Sequence, residues 1–172
     1  NLKEGFAITV FTWVLSFIFG MLPYLLFGGP FSLSNAWFES VSGYTTTGST
    51  ILTDIESLPK GLLFWRYSTH YIGGIGVMIF MLMVLPTMSA FQLRKIEISS
   101  LSKDNYRYRT REMLRVITYT YIGITLLTFI SLLLAGMPAF DAIGHSMTIV
   151  STGGFSNRNL SIASYNSPAI ER

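Results

Sequence analysis

Residues 45–48 read Thr-Thr-Thr-Gly and residues 151–154 read Ser-Thr-Gly-Gly, two hydroxyl-rich runs closed by glycine and set 106 positions apart. What such runs offer is the peptide backbone. Glycine admits conformations closed to other residues and lets the chain come close to an ion, while hydroxyls can bond to the scaffold and hold neighbouring carbonyls in place. Backbone carbonyls arranged around an axis replace the hydration shell of a monovalent cation, as in potassium-channel filters. No carboxylate ring is needed. The chain has no cysteine, which excludes a disulfide framework and a thiolate metal site.

The elements around these runs are made for lipid. Half of the 172 residues are hydrophobic and only 12% are charged, far from the balance of a soluble domain. Phe6 to Gly29 carries no charged side chain, long enough for the roughly 20 residues a helix needs to cross the hydrocarbon. It is too long for a signal-peptide core and lacks a small-residue cleavage site. A second span is expected between Arg66 and Arg94, ending near Pro86, and a third between Arg115 and Asp141. The connection between them carries Arg94, Lys95, Lys103, Arg107, Arg109, Arg111 and Arg115 against Glu97, Asp104 and Glu112. Positive charge is retained on the cytoplasmic side, so this loop is expected there, in agreement with Lys3, and both glycine runs on the outer side. No recognition fold accompanies the basic cluster, so nucleic acid is not an expected partner.

Shifting the chain by 106 positions lays residues 35–50 over 141–156, matching Ala36 with Ala142, Ser40 with Ser146 and Gly48 with Gly154, and lays the first span over the third. This is an internal repeat: span, short re-entrant helix, extended loop, span. The first short helix, from about Asn35 to Tyr44, reaches only part of the way across the bilayer. Its loop must therefore run at membrane depth, which is tolerated where backbone lines a wet cavity or is buried in protein. The negative end of the helix dipole then faces a cation. The two loops are expected to converge on one axis.

In "FESVSGYTTTGST", "LPKGLLFWRYSTHYIGGIGVMIFMLMVLP" and "DAIGHSMTIVSTGGFSN", in that order, the chain resembles the Trk/Ktr/HKT superfamily of potassium and sodium uptake proteins, and within it the bacterial Trk-type membrane subunit. The resemblance implies an all-α membrane protein in which four unequal span, pore-loop, span repeats surround one pore, each giving a filter glycine. Carried over, the ion-binding filter residues are Thr45, Thr46, Thr47 and Gly48, with Ser151, Thr152, Gly153 and Gly154 in the second loop, coordinating potassium through backbone carbonyls. Glycine at position 48 is similar to the potassium-selective branch. The implied organisation is a first repeat over 1–90, a basic cytoplasmic loop over 91–115 and an incomplete second repeat over 116–172, with at least half the pore absent. The resemblance further implies a multi-pass protein of the inner (plasma) membrane, potassium as the transported ion with no covalently bound cofactor, a cytosolic nucleotide-binding regulatory ring, and a homodimer of full-length subunits.

Other residues have structural readings. His70 follows Arg66 by four positions on one helical face and reads as an interfacial pair snorkelling to the membrane surface. Glu39 and His145, equivalent in the repeat, read as scaffold groups. The glycines of "GGIG" at 73–76 suit close helix packing. Asp54 and Glu56 suit an outer vestibule where they could concentrate cations, and a solvated loop explains them equally well; Phe31, Trp37, Phe38, Trp65, Tyr67 and Tyr71 suit interfacial belts and helix packing. Two alternatives are weaker: a tetrameric channel with one pore loop per subunit, against which stand the missing "TVGYG" and the two unlike loops, and an intramembrane serine hydrolase using Ser42 or Ser151 with His70 or His145, for which no nucleophile motif is present.

Overall fold

The computed structural model describes residues 2–93, 103–165, 167 and 170. Among the described residues five α-helices follow in order: α1 (Leu2–Phe27), α2 (Leu33–Tyr44), α3 (Lys60–Leu93), α4 (Lys103–Leu134) and α5 (Ala139–Val150), with a short 3-10 turn at Ser161–Tyr165. Among the described residues, Glu4–Phe27 and Arg111–Leu134 are long and apolar enough to cross a membrane. Both present large apolar side chains outward, among them Phe11, Phe19, Leu126 and Leu127, as segments facing lipid or further helices must. The span expected between Arg66 and Arg94 falls on α3, which continues past Pro86 to Leu93.

Two boundaries differ from expectation. The basic connection is helical from Lys103 onward and continuous with the third span; its Arg, Lys, Glu, Met and Leu residues favour helix and neither Gly nor Pro breaks the stretch from Lys103 to Arg115. Arg94, Lys95 and Glu97 lie outside the described residues. The third span ends at Leu134, where Gly136 at φ +93° turns the chain and Pro138 caps α5.

The two short helices α2 and α5 have 12 residues each, about 18 Å at 1.5 Å per residue, too short to cross a bilayer. Helix α2 starts where the Ser32 side chain accepts a bond from the Asn35 amide at 3.3 Å, satisfying one of the open amides of a first turn. It packs on α1 and α3, and α5 on α3 and α4. Helix α3 is thus the shared wall. The apolar core lies beside the start of α3, where Tyr24, Phe31, Ala36, Ile55, Leu58, Leu62, Leu63 and Tyr67 close together. It ties the end of α1, the start of α2 and the segment after the first loop into one block, leaving both glycine loops against the middle of α3.

Candidate functional site

Each short helix ends in the same way, one repeat apart. The Thr46 amide bonds the Gly43 carbonyl at 3.1 Å and the Thr47 amide bonds the Ser42 carbonyl at 3.0 Å; the Thr152 amide bonds Ile149 at 3.0 Å and the Gly153 amide bonds Thr148 at 2.8 Å. This pair of bonds is the Schellman closure, which requires a left-handed residue and favours glycine there. Here that residue is threonine both times, with Thr46 at φ +54° and Thr152 at φ +55°. A β-branched residue held in this region costs on the order of 1–3 kcal/mol, and such outliers cluster at functional sites. Gly48 and Gly154 follow at φ +76° and +92°. The Thr45 and Ser151 hydroxyls, again equivalent, donate to the Val41 and Met147 carbonyls at 2.7 and 2.8 Å. Among the described residues, the carbonyls of Thr45, Thr46, Thr47 and Gly48 accept no hydrogen bond.

The structure brings the two loops together. A β-carbon on Gly48 would fall on the Gly153 carbonyl oxygen and lie 3.4 Å from the Gly154 α-carbon. Helix α3 receives both through adjacent glycines. Gly73 lies against the Tyr44 backbone, where a β-carbon would stand 2.9 Å from the Tyr44 α-carbon, and Gly74 against Ser151, where it would stand 3.0 Å from that residue's α-carbon. The close packing expected of these glycines is therefore made with the ends of the two short helices.

Behind the first loop, Glu39 and Arg66 form a fully buried ion pair at 3.0 Å. The other Glu39 oxygen accepts from the Thr50 hydroxyl at 2.5 Å and the Ile51 amide at 2.8 Å, so the pair fixes the chain as it leaves the loop. Ser42 donates to the Ser49 carbonyl at 2.6 Å. Glu39 is a scaffold group, as expected. Arg66 and His70 are not an interfacial snorkelling pair: both are completely buried, because a carboxylate on the neighbouring helix offers Arg66 a partner inside the protein. The Arg66 guanidinium lies 4.1 Å above the Phe155 ring centre, and the His70 ring packs on the same phenyl at 4.0 Å between centres.

The second loop has its own carboxylate. Buried Asp141, in the first turn of α5, accepts from the Asn157 side chain and from the Tyr165 hydroxyl at 2.6 Å. Asn157 is the repeat equivalent of Ile51, so an acidic side chain holds the same exit position in both repeats. Burial and the bond to Asp141 push the Tyr165 hydroxyl up to about 12. Asp54 and Glu56, expected at an open vestibule, instead face the other repeat. Asn159 accepts from the Ile55 amide at 2.8 Å and donates to Asp54 at 3.3 Å, while Arg158 meets Glu56 at 3.4 Å. Arg158 partly answers the charge of Glu56, while Asp54 meets only the neutral Asn159 side chain, and both carboxylates are exposed.

A family model described as TrkH, cation transport protein, matches residues 1–172.

The chain belongs to the TrkH family. Among its relatives are the Trk system potassium uptake protein TrkH of Salmonella typhimurium, 38% identical over 172 residues that cover 98% of this chain and 36% of that protein, and TrkI of Halomonas elongata, 39% identical over 163 residues covering 94% and 33%. The crystal structure of the potassium transporter TrkH from Vibrio parahaemolyticus matches with a TM-score of 0.82 at 33% identity, covering 98% of this chain and 33% of that one. The chain thus spans about a third of the length of these relatives.

Membership of the TrkH family, a family of transporters, excludes the hydrolase alternative. The geometry agrees: the Ser42 and Ser151 hydroxyls donate to backbone carbonyls, and His70 is engaged with Phe155. Sequence reasoning missed Arg66 as the buried partner of Glu39, the wedge made by Phe155, and the roles of Asp141, Asn157 and Asn159. One signal was present: a carboxylate at position 39 of an apolar short helix cannot be buried without a partner, and Arg66 opens the next apolar stretch.

Proposed function

We propose that the whole protein takes up potassium across the cell membrane through a pore whose filter is formed by backbone carbonyls of Thr45, Thr46, Thr47 and Gly48 and of Ser151, Thr152, Gly153 and Gly154, joined by loops from further repeats. The observation that carries this reading is the matched pair of loops, alike in hydrogen bonding and in backbone angles and touching at Gly48 and Gly153. They share a backbone path at the end of a short helix, with the carbonyls of the first loop unengaged, the arrangement that can exchange for a cation's water shell and release it again. Relatives named as potassium uptake proteins make potassium the favoured ion.

The proposal places the protein in the inner (plasma) membrane as a multi-pass subunit. The basic segment from Lys103 to Arg115 is on the cytoplasmic side, where it meets a nucleotide-binding regulatory ring, and full-length subunits pair as a homodimer. Two loops supply only part of an ion's shell, so the 172 residues alone do not conduct. Expression of the full-length protein in bacteria lacking potassium uptake systems tests this: growth at limiting potassium with matching rubidium uptake is expected. Absence of uptake in cells with the protein in the membrane, or selective flux from the 172 residues alone in liposomes, contradicts it.

A further inference from the structure

The two repeats diverge at the position that follows each filter glycine. In the first loop it is Ser49, whose carbonyl is held by Ser42 within its own repeat. In the second it is Phe155, whose ring leaves its own repeat and enters the first. It is 2% exposed, with the Arg66 guanidinium 4.1 Å from its centre and the His70 ring 4.0 Å away. A β-carbon on Gly43, in α2, would stand 3.7 Å from its edge. The phenyl therefore sits between the two helices that carry and brace the first loop. Arg66 is engaged on both sides, with Phe155 on one and with Glu39, which fixes Thr50 and Ile51, on the other. His70 also stands against Gly153, where a β-carbon would fall on its ring.

We propose that Phe155 is a specificity-determining positioning residue that couples the two filter loops. The path runs from Gly154 to the adjacent Phe155, through Arg66 to Glu39, and back to the exit of the first loop at Thr50. Each link is a packed or charged contact in a buried setting, where a cation over an aromatic face holds more strongly than at a surface. The spacing of the two carbonyl sets is therefore set jointly, because a shift of one loop moves the ring and with it the guanidinium that braces the other. Phe155 and Arg66 touch no ion; they act through backbone position. This inference rests on the filter reading given above.

The test uses the full-length protein, with relative uptake of lithium, sodium, potassium, rubidium and caesium as the readout and thermal stability measured in parallel. Phe155→Leu is expected to lower discrimination among these ions on the order of 3–10-fold, the scale of a lost cation–aromatic contact, with capacity for the best ion largely kept. Phe155→Met, which keeps bulk in a flexible side chain, serves if the leucine variant does not fold. Arg66→Lys, which keeps the cation, should retain more discrimination than Arg66→Gln, and Phe155→Leu combined with Arg66→Gln should be no less selective than the worse single variant. Unchanged discrimination in a folded Phe155 variant, or additive losses in the double variant, overturns the coupling. Failure of the wild-type protein to prefer potassium counts against the proposed function alone, since the coupling is read from whatever order of ions the wild type shows.

Discussion

Gly48 stands so close to Gly153 that any side chain on the first residue would be driven into the carbonyl oxygen of the second. The contact joins two loops from different repeats: Gly48 is itself left-handed at φ +76°, and Gly153 lies between left-handed Thr152 and Gly154.

Gly48→Ser is therefore strained twice, by its φ of +76° and by collision with the Gly153 carbonyl. Left-handed strain alone costs on the order of 1–2 kcal/mol, and it must be relieved by moving one loop. The expected outcome is a weaker preference for potassium over sodium in flux measurements on the full-length protein. Normal expression with unchanged preference would remove Gly48 from the filter.

Alanine scanning of "GGIG" separates packing from composition. Gly73→Ala places a methyl into the Tyr44 backbone, which cannot yield as a flexible side chain does, and Gly74→Ala places one against the Tyr121 hydroxyl and Ser151; each is expected to cost roughly 1–3 kcal/mol, more at Gly73. Gly76→Ala meets only the Trp13 ring at 3.7 Å, ordinary contact, and should be neutral or slightly stabilising through helix propensity, by less than about 1 kcal/mol. Melting of detergent-solubilised protein, followed by size-exclusion fluorescence, ranks the three. An equal effect at all three positions would refute the assigned contacts.

Removing one partner of the Glu39–Arg66 pair leaves a buried charge without its counter-ion. Glu39→Gln or Arg66→Gln is expected to destabilise by about 3–5 kcal/mol, while an apolar pair at both positions recovers much of the loss. The same melting assay checks this, and single variants as stable as the wild type would mean that the two charges are solvated.

Sidedness is read with a single cysteine, since the chain has none. Arg111 is exposed on α4, and Arg111→Cys in a cysteine-free full-length background is expected to react with impermeant thiol reagents only in inverted vesicles. Labelling in intact cells would reverse the proposed topology.

The sequence by itself determined the membrane setting, the internal repeat and the two loops, because each rests on a local property: uncharged length, or residue types at a fixed shift. It also marked Gly48 and Gly154, since a backbone that must turn left-handed selects glycine within a few residues of chain. The left-handed Thr46 and Thr152 were not legible, as threonine has no preference for that conformation and takes it only because the helix closure and the packed loop impose it. Tertiary structure alone decided the pairings. Arg66 reads equally well as a snorkelling cation or a buried one, and the choice depends on how α3 is rotated against α2, which brings Glu39 within 3.0 Å. Asn159 finds Ile55 across 104 positions, and Phe155 finds Arg66 and His70 in the other repeat. Such contacts follow from helix crossing and register between distant segments, and the energy of a buried charge or ring is set by the neighbour it meets there.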